Sequence, residues 1–514
     1  MSHLPRLSRK SLIAFAAGCL LMLATAAWQG RSVAIDQPPL ERLNCVSFAH
    51  PETVLIIGKR PPPEQADIER ELTELAKWTS CIRVYSSDPR QEYVIPFAEK
   101  QGLKVILGAW INSHPDTSHA EMDRAIALAE KYPGTVKALL MGNEVLTVKE
   151  MPLAELTPYL DEARKRSPVP VSVAEVWSIW LDQPELAEHV DFIAAHILPY
   201  WDDFPISLNK AFGFIETSLT KLETRFPGKP ILIAETGWPS GGRAKGGFPP
   251  GQVEQSRFVR AIAGLAERHH WDYNLVESFD QPWKRYSEGV AGGTWGLFDK
   301  DGEPKFSFDG PAIPDKRWWI PALGALLLGG LALLACRPRT MTQAALAPIF
   351  GGLWVWQATF LYDWYSGWVR AGLALVLLAG SAAIAIAALR RETVEARPAQ
   401  ELLALWKRPL CLLKAAFGSA GGLLTLYQLD ALYLCLEEPF QIPADYYTLV
   451  FAIPALTALL LTRCPKTVWN RRLGWALPAG GLLCVGLSLL VVPQAWAWAG
   501  ITLLLAKPLL RAKA

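Results

Sequence analysis

The sequence predicts an α/β fold, a (β/α)8 TIM barrel followed by an all-α polytopic transmembrane domain. Three observations lead there. Between about 40 and 310, eight short apolar segments alternate with helical patterns, and a barrel of this kind typically takes about 250 residues. The segments are almost continuously apolar, as strands of a parallel sheet buried on both faces must be. From about 317 onward, long apolar runs dominate instead. A chain of 514 residues is in any case too long for one ordinary domain.

Residues 1–30 come first. Arg6, Arg9 and Lys10 precede an apolar run from Leu12 to Trp28, the pattern of an export signal or an uncleaved anchor. Ala24-Thr25-Ala26 is a small-residue cleavage site, so both readings stay open. The barrel follows in 31–316. Its expected strands are LNCVSFA, CIRVYSS, LKVILGAWI, VKALLMGNE, VPVSVAEVW, VDFIAAHILPYW, KPILIAETGW and YNLVESFD. Among the intervening helices, Ile68, Leu72, Leu75 and Trp78 keep helical spacing. Ser118 and Glu121 form a capping-box pattern ahead of Met122, Ile126 and Ala129. A further helix runs from about 253 to 269, with Phe258, Ile262 and Leu265 inward. An open doubly wound sheet is the alternative, but no G-x-G-x-x-G follows any strand, so a dinucleotide site lacks support.

The third part, 317–514, holds about seven apolar runs, near 317–336, 343–362, 367–389, 411–434, 447–462, 473–492 and 494–507. Arg337 and Arg339 follow the first run. Arg390, Arg391, Arg397, Lys407 and Arg408 follow the third, and Arg463, Lys466, Arg471 and Arg472 the fifth. Acidic loops, with Asp363 or with Glu437, Glu438 and Asp445, alternate with these basic ones. The positive-inside rule places every basic loop in the cytoplasm and 31–316 outside it. This predicts a multi-pass protein of the plasma (inner) membrane with an extracytoplasmic, periplasmic barrel and the lipid bilayer as partner. Lys414 and Asp430 lie near span ends, so the spans read as an anchor or assembly platform rather than a pump. A net charge of +2 argues against nucleic acid as a partner. Cys45 and Cys81 each open a strand, and whether they pair is left open. No His and Cys spacing suggests a metal, and no cofactor is expected.

Active sites of such barrels form at the C-terminal strand ends. Glu144, Glu175, Glu235, Glu277 and Asp280 all end strands. Two converging carboxylates suit glycoside cleavage, one protonating the leaving oxygen and the other attacking the sugar or activating water. Spacing alone does not select the pair. Trp110, Trp177, Trp180, Tyr200, Trp201, Trp238, Trp283 and Trp295 fall at or just after strand ends, and aromatic faces suit sugar rings.

The stretches LLMGNEVL, IAETGWPSGG and ESFDQPWK, with the later WGLF, resemble glycoside hydrolase family 17, the β-1,3-glucanases and glucanosyltransferases. The resemblance covers about residues 40–300 and looks nearest to bacterial membrane-bound members. It implies a (β/α)8 fold and retaining chemistry on β-1,3-glucan, with Glu144 as acid/base and Glu235 as nucleophile. It further implies that Asn143 contacts the sugar 2-hydroxyl, that Tyr200 is a subsite residue, and that Lys284 and Glu288 form a polar pair near the cleft. Glu144 is then expected to be protonated at rest, through burial or the nearby Glu235 charge. Hydrolysis and transfer share the glycosyl-enzyme intermediate and remain undivided. A non-catalytic glucan-binding or scaffold subunit of a polysaccharide export machine is the alternative function. A glucan synthase is a candidate partner, because the spans exceed what anchoring needs.

Overall fold

The computed structural model describes residues 8–364, other than 40, 52–63, 90–92, 243–249 and 338–339, and scattered positions beyond 364. The described residues fall into two units. One contains 33–242 and 250–312. The other contains the N-terminal helix and the residues from 313 on.

The first unit is a closed parallel barrel of eight strands in sequence order. They are β1 Cys45–Ser47, β2 Cys81–Val84, β3 Lys104–Ala109, β4 Val136–Asn143, β5 Val171–Val176, β6 Ile193–His196, β7 Ile231–Thr236 and β8 Asp272–Leu275. β8 pairs with β1, so the sheet has no edge and the open doubly wound alternative is excluded. Seven of the eight expected segments contain one strand each, and β8 begins one residue ahead of the eighth, at Asp272.

Side chains alternate between two destinations, as a pleated strand requires. Cys45, Cys81, Ile106, Ala138, Leu140, Ala174, Ala194, Leu232 and Ala234 form one buried cluster inside the barrel. Their neighbours Val46, Ile82, Val105, Leu107, Leu139, Val173, Ile193 and Ile233 belong to the larger layer against the helices. The four interior alanines keep the barrel floor narrow and packed. Register puts Val46 opposite Ile82, so Cys45 and Cys81 also face one another, and they are joined in a disulfide with a Cα–Cα distance of 4.4 Å.

The helices bury the stripes their sequences provide. In Gln65–Leu75, Ile68, Leu72 and Leu75 are buried, and Trp78 beyond the helix packs on Phe308. In Gln252–His269, Phe258 and Ile262 are buried, but Ala266 rather than Leu265 completes the stripe. The expected capping box is not formed. Its helix starts three residues earlier, at Pro115, whose missing N–H suits the first turn. Ser118 therefore lies inside the helix and exchanges hydrogen bonds with the Asn112 backbone. Glu121 instead accepts from Ser86, Ser87 and the Trp110 N–H, tying the loops after β2 and β3 together.

In the second unit, Arg9–Gln29, Ile320–Cys336 and Met341–Trp364 are helices that pack on one another. Glycines permit the close approach: a Cβ at Gly329 would meet the Pro348 Cα at 2.4 Å. Leu20, Leu21, Leu23, Leu327, Leu331 and Leu334 point outward, each more than half exposed apart from Leu23 at 48%. Among the described residues, one helix, Arg9–Gln29, is long and apolar enough to cross a membrane. Ile320–Cys336 is apolar but has 17 residues. The expected spans 411–434, 447–462, 473–492 and 494–507, and much of 367–389, lie outside the described residues apart from isolated positions.

Candidate active site

At the C-terminal end of the strands a cleft of ≈ 240 Å³ opens between the loops. Its floor carries Glu144 and Glu235, with Tyr85 and Asn143 beside them, and Trp110, Trp201, Trp283 and Trp295 on its walls.

Backbone geometry aims the two acids. Glu144 follows Gly142 and Asn143 at the end of β4. Gly142 has φ +103° and Glu144 itself has φ +57°, a left-handed conformation that costs a side-chain-bearing residue about 1–2 kcal/mol. The Glu144 N–H donates to the Ala174 carbonyl at 2.7 Å, which holds the turn. On β7, Leu232 and Ala234 face the barrel interior, so strict alternation would send Glu235 toward the helices. The register with β6 shifts between Ala195 and His196, and that with β8 between Ile233 and Thr236. Such irregularities re-aim side chains, and here Glu235 reaches the floor. A carboxylate oxygen of Glu144 and one of Glu235 lie within 4.8 Å of each other.

Arg83 binds this floor together from β2. It is buried, and its Nη1 donates to Glu235 Oε1 at 2.9 Å and to the Ala234 carbonyl at 2.8 Å. Its Nη2 donates to Asn143 Oδ1 at 2.6 Å, and the guanidinium lies over the Tyr85 ring. The Tyr85 hydroxyl donates to the same Glu235 oxygen at 2.8 Å. Burial alone would raise the Glu235 pKa. His196, Arg83, the Tyr85 hydrogen bond and Lys284 overcome it, and the carboxyl is held below its ordinary value. The Tyr85 hydroxyl is pushed well up, by burial first and then by the Glu235 charge. His196, the last residue of β6, places Nδ1 2.8 Å from Glu144 Oε1 and Nε2 3.5 Å from Glu235 Oε1.

A second polar group lies on the wall after β8. Lys284 donates to the buried Glu277 at 2.9 Å, and Glu288 lines the same side. Burial raises Glu277 to about 7 against the pull of Lys284, and burial also raises Glu288. Burial would lower Lys284, but Glu277, Glu288 and Glu235 together raise it.

The remaining expected residues take other places. Glu175 is fully buried and does not line the cleft. It accepts from the Leu146 N–H at 2.7 Å and from the Thr147 N–H and hydroxyl, pinning the loop that follows Glu144. Asp280 similarly holds Lys305 and the Gly296 N–H beneath the loop after β8. Tyr200 and Trp238 are buried behind the cleft, packed edge-on to one another, and Tyr200 stacks on Trp201. They support the wall that Trp201 and Trp295 present. Trp177 packs edge-on against Phe214 below Lys221, away from the cleft, and Trp180 is core.

Sequence reasoning missed Arg83, Tyr85 and His196. A charged residue inside the otherwise apolar CIRV, and a histidine ending IAAH, were the available indications. Glu144, His196 and Glu235 also bring metal-ligand atoms together. The Arg83 guanidinium already supplies positive charge there, 2.9 Å from Glu235 and 3.4 Å from His196 Nε2, so the group is a poor cation site.

A closed barrel whose mouth holds two facing carboxylates among aromatic walls is an arrangement that suits glycoside cleavage. Residues 58–296 match the family model of the BtgE/BtgC glycoside hydrolase domain. The probable glucan endo-1,3-beta-glucosidase btgC of Aspergillus fumigatus is 27% identical over 285 residues, 49% of this chain and 41% of that protein. The glucan 1,3-beta-glucosidase of Arthroderma benhamiae is 26% identical over 276 residues, 49% of this chain and 88% of that one. Among solved structures, the glycoside hydrolase family 17 beta-1,3-glucanosyltransferase of Rhizomucor miehei is 19% identical, covering 51% of this chain and 95% of that one at a TM-score of 0.44. The barrel of this chain is thus similar to the β-1,3-glucanases among the glycoside hydrolases. The chain spans about two fifths of the length of the first curated relatives it matches.

Proposed function

We propose that the protein is a retaining glycosidase acting on β-1,3-glucan, by hydrolysis or by transfer to another sugar, in glucan synthesis or remodelling at the outer side of an inner membrane. One observation carries the chemistry: the Glu144 and Glu235 carboxylate oxygens approach within 4.8 Å. That separation suits a covalent intermediate, where retaining pairs lie about 5–5.5 Å apart and inverting pairs about 6.5–9.5 Å.

In the first step Glu235 forms a bond to the anomeric carbon as the glycosidic C–O bond breaks. The electron pair of that bond goes to the departing oxygen, which takes the proton of Glu144. In the second step Glu144 takes a proton from water or a sugar hydroxyl. That oxygen bonds the anomeric carbon and releases the Glu235 carboxylate. Arg83 and Tyr85 keep Glu235 ionised for its attack. Both bonds, and the His196 approach, fall on Oε1. Among the described residues none falls on Oε2, which is the attacking oxygen. Trp110, Trp201 and Trp283 stack on sugar faces, and Asn143, Glu277, Lys284 and Glu288 meet hydroxyls along the chain.

The membrane placement draws on the outward leucines of the second unit and the alternating basic loops. The bilayer, and a glucan synthase at the remaining spans, are the proposed partners. The test is incubation of the membrane-extracted full chain with laminaripentaose, following products by chain length and by anomer. Products longer than substrate mean transfer, and only shorter ones mean hydrolysis. A first-formed α-anomer, or turnover undiminished in Glu235→Gln, sinks the retaining assignment. Release of the protein from membranes by alkaline carbonate sinks the multi-pass placement.

A further inference from the structure

The two acids are held very differently. Glu235 is fixed by Arg83 and Tyr85. Among the described residues, the Glu144 carboxylate is bonded by one side chain, His196. That histidine is 1% exposed and ends a different strand, β6, so it reaches Glu144 from across the sheet.

Its role follows from what it faces. Nδ1 lies at hydrogen-bond distance from an oxygen of Glu144, and a carboxylate only accepts, so Nδ1 carries a hydrogen. The Nδ1–H then donates to Glu144 Oε1 at 2.8 Å. Oε1 is thereby occupied, and Oε2 is left to hold the proton and face the glycosidic oxygen.

From this arrangement, and resting on the glycosidase reading above, we infer that His196 is the positioning residue of the acid/base. It selects the oxygen of Glu144 that delivers the proton. Its bond strengthens as that proton leaves, because an N–H to a carboxylate is roughly twice as strong as one to a neutral acceptor. The gain appears only while the leaving group is being protonated, which is where it lowers the barrier. Arg83 fixes Glu235 directly and lies 3.4 Å from the other face of the same histidine, at Nε2.

A residue that acts through the acid matters only when the leaving group needs a proton. The test compares kcat/KM for laminaripentaose with kcat/KM for dinitrophenyl β-laminaribioside, whose phenolate leaves unaided. Both report glycosylation. In full-length His196→Ala, the pentaose value is expected to fall about 10²-fold, the size of a general-acid contribution. The aryl glycoside value should change less than about threefold, since Glu235 keeps its hydrogen bonds from Arg83 and Tyr85. His196→Asn places an amide N–H near the Nδ1 position and should recover most of the pentaose activity. His196→Gln places its amide near Nε2 and should not. Equal losses on both substrates, or no loss on either, overturn the inference. If the alanine variant does not fold, the Asn and Gln pair decides: the same pentaose-to-aryl ratio in both, and in wild type, overturns it. A wild-type protein inactive on both substrates would instead overturn the glycosidase reading.

Discussion

Replacing Arg83 by methionine removes the one cation that, among the described residues, touches Glu235, Asn143 and His196 together. The chain volume is roughly kept, so the loss is chiefly electrostatic. Two charge-assisted bonds to side chains disappear, at 2.9 and 2.6 Å, each contributing about 1.5–3 kcal/mol. Their sum agrees with the ~3–5 kcal/mol lost when one member of a buried ion pair is deleted. For a domain of this size the melting temperature should fall by about 10 °C. Lysine should not restore it, because one ammonium cannot span Glu235 and Asn143 as the guanidinium fork does.

The pH dependence gives a second reading of the same change. Glu235 has its folded-state pKa depressed, against burial, by His196, Arg83, Tyr85 and Lys284. A depressed carboxyl contributes stability that is present above its unfolded pKa and lost as pH falls through the folded one. The variant has lost much of that contribution already, so its stability gap from wild type should narrow in acid. The acidic limb of kcat/KM should move to higher pH, because burial then acts on Glu235 with less opposition. Urea unfolding at pH 7 and pH 4, with a pH–rate profile on laminaripentaose, tests both. A variant within about 0.5 kcal/mol of wild type, with an unshifted acid limb, refutes the argument that Arg83 holds the floor together.

Three further outcomes are expected. Glu277 sits at about 7 in the fold, so the folded state holds its proton more tightly than the unfolded chain, and stability falls as pH rises through 4.5 to 7, by about 1.4 kcal/mol per pH unit at most. Glu277→Gln should flatten that slope in urea titrations, and an unchanged slope would assign it to other groups. The Cys45–Cys81 disulfide, with a sequence separation of 36, should contribute about 4 kcal/mol by restricting the unfolded chain. Calorimetry of the double alanine variant measures this, and a loss below about 1 kcal/mol would show that the barrel closes as well without it. Glu175→Gln presents an amide where Leu146 and Thr147 need acceptors, costing about 1–3 kcal/mol. Its kinetic effect should appear in kcat rather than KM, since Glu175 anchors the loop after Glu144 and not the sugar. A change confined to KM would put Glu175 in the cleft after all.

The eight strands, the helical stripes between them and the two principal acids were legible because each leaves a local mark. A strand buried on both faces must be apolar throughout, and a carboxylate at its end stands out against that background. Closure of the sheet was legible only as a count of units. Spacing alone did not say which acids face the cleft; only the family resemblance singled out Glu144 and Glu235. Glu144, Glu175, Glu235, Glu277 and Asp280 look alike in sequence. Strand register sends Glu144, Glu235 and Glu277 to the cleft, and leaves Glu175 and Asp280 bonded to loop backbone. The register shifts around Glu235 have no sequence mark, because they depend on the strands on either side. The Cys45–Cys81 pairing is of the same kind, decided by which residues β1 and β2 set opposite one another. Arg83 and His196 were visible as polar residues in apolar strands, but their roles come from partners 152 and 52 positions away. Local pattern thus determined the elements and the type of chemistry. Long-range geometry, which alone fixes distances between carboxylates and the partners of buried charges, decided which residues share a site.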